Sequence, residues 1–185
     1  MASTGHYRVL RMEDRMPDNN QDPGLNAVVI RCWHDLILHG VGLNGPVEPQ
    51  DSVRVNLRIF SNGDLIHQQI VDKFQTKRGA KLLKLDKIVC LESYRPYLVV
   101  VNITGAKCWQ GLEGKYLHCI KMGRHRIQLS FTTPRKDMLE KALYWDYYEE
   151  MEPMVNRTSS QAGQFPFIEV SMAEELYSRK KQRTI

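Results

Sequence analysis

The fold of this chain is decided by residues 115–148, KYLHCIKMGRHRIQLSFTTPRKDMLEKALYWDYY. Ile127, Leu129 and Phe131 alternate with polar residues, and this period of two predicts a strand with one buried face. The run 116–122 precedes that strand, and a Met-Gly dipeptide between the two runs suits a short turn. The stretch is therefore predicted to begin as a β-hairpin.

A helix is predicted to follow the hairpin directly. Thr133 is suited to N-cap it, and Pro134 fits its first turn, where a missing backbone N–H costs nothing. Apolar residues then recur with helical spacing up to Trp145, and Pro153 marks a point that the helix cannot pass. We expect a helix over 134–151 with one apolar face.

Hydrophobic periodicity predicts a mixture of strands and helices in the rest of the chain. One or two strands are expected within 25–42, and single strands over 53–59 and 97–104, the last covered on both faces because it is almost continuously apolar. Helices are expected over 64–79 and 82–93. A capping box, Ser171-Met172-Ala173-Glu174, predicts a final helix.

These elements predict an α+β fold, a twisted antiparallel β-sheet of about four to six strands with helices packed mainly on one face. A length of 185 residues is typical of a single domain. Residues 1–24 show no sustained periodicity, and we interpret them as a flexible N-terminal arm. Residues 25–185 are predicted to form one globular domain that ends in a C-terminal capping helix and a basic tail.

Composition and motifs argue against several classes of protein. Hydrophobic residues make up 42% of the chain, which is enough for a core. The sequence has no apolar run long enough for a membrane helix and no N-terminal apolar segment typical of a signal peptide. Phosphate-loop, dinucleotide, zinc-protease and nucleophile-elbow motifs are absent. We therefore expect no enzymatic activity and no cofactor.

The cysteines and histidines do not form a recognisable site in the sequence. Cys108, His118, Cys119 and His125 lack the spacing of a common zinc site. Residues 118 and 119 would also point to opposite faces of a strand. We predict no metal and interpret the cysteines as free thiols.

The net charge of +5 is unevenly distributed. Residues 73–87 contain six cations and one acid, whereas residues 137–152 contain six acids and one lysine. The basic run has a simple alternative, the solvated face of amphipathic helices, but its lack of interspersed acids favours a surface that binds polyanions. The predicted membrane- and polyanion-binding residues are Lys73, Lys77, Arg78, Lys81, Lys84, Lys87, Lys107, Trp109, Leu112 and Lys115.

Trp109 and Leu112 are included because we predict residues 106–115 to be a flexible, glycine-bounded loop. An apolar loop tip between lysines is typical of peripheral proteins that touch a bilayer. The alternative is that the Trp109 ring folds back onto the sheet as part of the core.

The predicted helix 134–151 has its charges reversed relative to its dipole, with cations at its first turn and acids at its last. This arrangement does not favour stability, and two explanations are open: a partner selects it, or salt and nearby opposite charges absorb its cost. We predict head-to-tail self-association into open arrays, in which a neighbour's basic face meets the acids and the apolar residues of the arm enter a groove. The predicted self-association residues are Val9, Leu10, Met12, Met16, Glu149, Glu150 and Glu152.

The motif Ile127-Gln128-Leu129-Ser130-x-Thr132, followed by Leu139-Glu140 and then Trp145-Asp146-Tyr147-Tyr148, resembles rhabdovirus matrix proteins. SVRVNLRIFSNGDL (52–65) is similar to the early exposed strand and turn of that family, and YRPYLVVVNITGAKCW (94–109) to its central strand. The chain lacks the long lysine-rich N-terminal segment and the proline-containing budding elements of the animal-virus members. In these respects it looks more like matrix proteins of plant-infecting rhabdoviruses.

The resemblance implies a structural function in virion assembly and budding. Such a protein self-associates, condenses the viral nucleoprotein–RNA complex and links it to an anionic membrane, with a viral glycoprotein tail as a further partner. The implied locations are the virion and the host cytoplasm and membrane surface, with the Arg179–Arg183 tail as a candidate nuclear signal. The main alternative is a sequence-tolerant RNA-binding viral accessory protein, a silencing suppressor or movement-type protein, that uses the same basic stretches.

Overall fold

The computed structural model describes residues 5–76, 79–143, 156–158 and 163–173. Within these ranges the chain forms twelve strands and a single α-helix. The strands are β1 (Tyr7–Leu10), β2 (Met12–Gln21), β3 (Gly24–Cys32), β4 (Leu36–Asn44), β5 (Val53–Ser61), β6 (Asp64–Phe74), β7 (Ala80–Leu91), β8 (Pro96–Gly105), β9 (Cys108–Gly114), β10 (Leu117–Met122), β11 (His125–Thr132) and β12 (Phe167–Met172). Helix α1 (Lys136–Ala142) lies between β11 and β12.

The strands pair antiparallel in two sheets and a ribbon. The four-stranded sheet has the order β1-β12-β4-β7, and the six-stranded sheet has the order β10-β11-β3-β8-β5-β6. Strands β2 and β9 form the two-stranded ribbon. Apolar side chains from both sheets pack together between them, so the fold is a β-sandwich.

Strand β8 shows why its sequence is almost continuously apolar. Val99 and Val101 face the core between the sheets, whereas Leu98 and Val100 pack with Leu139 of α1 on the opposite face. The prediction of a central strand covered on both faces is confirmed. The predicted hairpin is also confirmed: β10 and β11 pair closely around a short turn that contains Gly123 with φ of 59°.

The predicted α+β class is wrong, because two of its helices are strands. Residues 64–79 contain β6, which pairs with β5, and residues 82–93 fall mostly within β7, which pairs with β4. In β7, Leu83, Leu85, Val89 and Leu91 are buried at odd positions, the period of a strand. The exposed Ile88 created an apparent helical spacing, and pairing with a distant strand prevailed over that local pattern.

The other two predicted helices differ from the structure at their first residues. The helix predicted from 171 begins inside β12, and the residues from 174 onward lie outside the described part of the chain. Of the helix predicted over 134–151, the structure describes α1, seven residues long, with Arg135 rather than Thr133 as its N-cap residue. Residues 144–151 lie outside the described ranges.

Two strands lie within the segment that we interpreted as an arm. Strand β1 adds to the edge of the four-stranded sheet by pairing with β12, and β2 pairs with β9. Val9 and Met12 are buried, and Val9 belongs to the core between the sheets. Among the described residues, no helix has the length and apolarity needed to cross a bilayer.

Candidate polyanion-binding surface

The basic stretch of the sequence follows one edge of the sandwich, where β6 and β7 run side by side. We call this edge the seam and define it as residues 64–74 and 80–91. Gln69 joins its two strands: its side-chain amide donates to the Lys84 carbonyl (3.2 Å), and its side-chain oxygen accepts from the Asp86 N–H (3.1 Å). The Gln69 side chain thus bonds to two backbone groups of β7 and links the edge strands of the two sheets.

Four exposed lysines lie on the seam, and we call them the seam lysines: Lys73, Lys81, Lys84 and Lys87. None of them forms an ion pair with another described residue. Three acids also lie on the seam: Asp72 pairs with Arg54 at 3.1 Å, Asp86 lies 3.6 Å from His67 Nε2, and Asp64 is exposed at the start of β6. The four lysines are therefore exposed and unpaired with described residues, on a seam that also carries acids. Lys77 and Arg78 lie outside the described ranges.

An open groove of about 730 Å³ lies at one end of the seam. It is lined by Arg8, Pro49, Gln75, Thr76, Ala80, Lys81 and Leu82. The Arg8 guanidinium lies 4.1 Å above the Phe167 ring, and Lys81 Nζ lies 5.8 Å from the centre of the Phe74 ring. These cation–π contacts favour defined positions for both charges. The sequence offered no local signal for Arg8, because its place depends on the pairing of β1 with β12.

Trp109 lies in a paired strand rather than at a loop tip. The prediction of a flexible loop over 106–115 is wrong, because Cys108–Gly114 forms β9. The Trp109 N–H donates to the Gly45 carbonyl (2.9 Å), and its own carbonyl accepts from the Gln164 side chain (2.8 Å). Trp109 and Leu112 are both half-buried. The ribbon thus holds the backbone of Trp109 between two neighbouring segments.

Gly45 connects this ribbon to the seam. Its N–H donates to the Gly79 carbonyl (3.1 Å), while its carbonyl accepts from Trp109. A side chain at Gly45 would overlap Thr76, so the close approach requires glycine here. The Lys107 carbonyl accepts from the Val47 N–H (2.9 Å), and its ammonium group pairs with Asp22 at 3.3 Å. Lys115 is exposed at the far end of β9.

The predicted self-association residues are placed very differently from one another. Val9 and Met12 are buried in their own chain, whereas Leu10, on the opposite face of β1, is 61% exposed. The side chain of Met16 and the residues Glu149, Glu150 and Glu152 lie outside the described part of the structure. Among the described side chains of this set, only that of Leu10 is exposed enough to contact a second copy of the chain.

A histidine pair lies on the outer face of the four-stranded sheet, beside the seam. The rings of His6 and His39 stack with centroids 3.8 Å apart. His6 Nδ1 lies 3.0 Å from Glu169 Oε1, and His39 Nε2 lies 2.8 Å from Ser171 Oγ. The pKa of His39 is lowered, first by burial and then by the nearby His6 and Lys84, while Glu169 acts in the opposite direction. His39 is therefore more readily neutral in the fold than in water.

We expect the free energy of unfolding to decrease when the pH falls below about 6.5, the ordinary pKa of histidine. The pKa values of His39 and His118 are both lowered mainly by burial, so the unfolded chain takes up protons first and acid favours it. Denaturant titrations between about pH 7.5 and 5.5 would measure the loss. His39→Gln should make the profile flatter, and a wild-type profile without a slope in this range would contradict the prediction.

The described cysteines and histidines provide no obvious catalytic or metal centre. Burial raises the pKa of Cys32 and Cys108 to about 12, so both thiols stay protonated at neutral pH. In the described ranges, no three His, Cys, Asp or Glu side chains are close enough together to hold a metal ion. No protein-family model and no curated protein matches this chain.

Proposed function

We propose that this chain is a viral structural protein of the matrix type, which self-associates, condenses a nucleoprotein–RNA complex and links it to an anionic membrane. The observation that supports the proposal best is the row of seam lysines. They are exposed, they form no ion pairs with other described residues, and they lie next to the groove that Arg8 lines. The assignment to the matrix type comes from the sequence resemblance of residues 127–148.

The geometry of the seam suits an extended polyanion better than a small ligand. Lys81, Lys84 and Lys87 lie along one strand, so they present several charges in succession rather than one compact site. A membrane surface or a ribonucleoprotein presents many negative charges, and both reward the density of cations rather than one exact arrangement. The proposal does not depend on the α+β fold predicted from the sequence, because the seam lysines lie on β6 and β7, which pair with β5 and β4.

Binding to vesicles that contain phosphatidylserine is expected to weaken steeply with salt. The Debye length falls from about 10 Å at 0.1 M salt to about 3 Å at 1 M, so charges on an exposed seam lose most of their attraction. Flotation with anionic and with neutral vesicles over this range would measure the effect. In parallel, co-sedimentation with single-stranded RNA would measure affinity for the other polyanion.

The two measurements separate the candidate functions. Binding to anionic vesicles and to RNA, both salt-sensitive, agrees with a protein that connects a ribonucleoprotein to a membrane. Binding to RNA alone would contradict the matrix proposal and favour the RNA-binding accessory protein. If the chain bound neither at low salt, the interpretation of the seam as a polyanion surface would be wrong.

A further inference from the structure

The wall of the groove at Arg8 is built from three neighbouring strands. Gly42 on β4 leaves room for the Phe167 ring of β12, which would overlap a side chain at position 42. The Arg8 guanidinium of β1 in turn lies above that ring, 4.1 Å from its centre. Pairing of β12 with β1 on one side and with β4 on the other brings the three residues together. The ring therefore supports a flat cation at the border of the groove.

Arg8 and Lys81 line the same groove, although they come from the two edge strands of the four-stranded sheet. Neither side chain forms a hydrogen bond or an ion pair with another described residue. Glu169 is opposite Arg8 in the register, but its carboxylate lies 3.0 Å from His6 Nδ1. The described residues that line the groove include no acid. Two cations thus keep their N–H donors for an anionic ligand.

The neutral polar residues of the groove add hydrogen-bond acceptors. Thr76 Oγ1 donates to the Gly79 carbonyl (3.1 Å), and the Gln75 side-chain amide donates to the Gln50 carbonyl (3.4 Å). These bonds use the donors of both side chains, and the lone pairs of their oxygens can still accept. The groove therefore suits a ligand that carries both anionic oxygens and hydroxyl or amino groups.

We propose that this groove binds a segment of single-stranded RNA, with one base stacked on the Arg8 guanidinium and an adjoining phosphate at Lys81. Bases of single-stranded RNA stack on guanidinium planes as they do on aromatic rings, and a plane that a ring already supports costs less to order. Ribose hydroxyls and base amino groups would supply the donors for the acceptors of the groove. This inference rests on the proposed function and identifies the part of the surface that contacts RNA.

The shape and the chemistry of the groove favour RNA over the other polyanions. A bilayer presents its phosphates in a plane, which exposed lysines on a strand reach more easily than a concave groove does. An acidic protein segment would neutralise both cations, but its carboxylates provide no ring to stack on Arg8. A single strand of RNA satisfies the charge, the plane and the acceptors together.

The test is a double-mutant cycle measured by fluorescence anisotropy. One labelled RNA carries about ten adenosines, and a second strand with the same number of phosphates is abasic. The wild type should bind the strand with bases about tenfold more tightly. Arg8→Lys keeps the charge but lacks the plane, so its preference should fall to about twofold or less. Lys81→Gln should weaken binding of both strands by the same factor, because it removes a phosphate contact.

Arg124→Lys is the matched control, since Arg124 is exposed in the turn of the β10–β11 hairpin. It should keep the full preference for bases, and equal melting temperatures would show that all the variants are folded. A wild type that binds no RNA or does not distinguish the two strands would overturn the inference, as would an Arg8→Lys variant with the full preference. Polyglutamate that competes as well as unlabelled RNA of equal charge would also overturn it and indicate an acidic protein partner.

Flotation on phosphatidylserine vesicles separates this inference from the proposed function. Arg8→Lys should float like the wild type, because its charge is unchanged. Parallel loss of vesicle binding and of the preference for bases would contradict a site that is selective for RNA. A wild type that distinguishes the two strands but binds no vesicle would support the inference and contradict the membrane part of the proposed function.

Discussion

Reversal of three seam lysines, Lys73→Glu, Lys84→Glu and Lys87→Glu together, is expected to eliminate measurable binding to anionic vesicles. Each lysine near a membrane surface contributes about 1 kcal/mol, and replacing attraction with repulsion about doubles the loss, so the total approaches about 6 kcal/mol. The fold should persist, because the three side chains are exposed and form no ion pairs with described residues. Changes at such positions usually alter stability by about 0.5 kcal/mol or less.

A matched control is available on the opposite edge of the six-stranded sheet. Lys121→Glu/Arg124→Glu/Arg126→Glu changes the net charge by the same amount on the exposed β10–β11 hairpin. Flotation should distinguish the two variants strongly, with most binding retained by the hairpin variant. Equal loss in both would indicate a response to net charge rather than to the seam, and full binding by the seam variant would refute its role.

Deletion of residues 1–12 is expected to unfold the chain or to reduce its stability severely. Burial of Val9 and Met12 alone contributes about 3–6 kcal/mol, which is comparable to the whole stability of many domains. The deletion also removes β1, which pairs with β12, so β12 would become the edge of the four-stranded sheet. Its core residues Ile168 and Val170 would then lie in an edge strand. Thermal unfolding followed by circular dichroism would measure the change.

Two neighbouring residues of β1 supply the control for this experiment. Val9→Asp should be as damaging as the deletion, because it buries a charge in the core, whereas Leu10→Asp on the exposed face should leave the melting temperature nearly constant. A truncated chain with the melting temperature of the wild type would show that β1 is dispensable. Because the deletion affects folding, self-association through the N-terminal segment is better tested with Leu10 variants by light scattering.

The sequence determined the strands whose burial alternates simply. Val53, Val55, Leu57 and Ile59 repeat with a period of two, and β5 is formed there. The same applies to β11, and the doubly covered β8 was recognisable from its continuous apolar run. In these segments one face of each strand is buried throughout, so the local pattern and the tertiary environment agree. The concentration of lysines between 73 and 87 was equally visible, since it requires only counting.

The tertiary structure alone decided what surface those lysines form. A strand has no internal hydrogen bonds, so β6 and β7 exist only because β5 and β4 pair with them, and local spacing suggested helices instead. The same pairing joins the two strands through Gln69, and the pairing of β1 with β12 brings Arg8 from the N-terminal segment to the groove at Lys81. A β-ladder is non-local: the partner of each strand lies far away in the sequence, and no window of neighbouring residues specifies it.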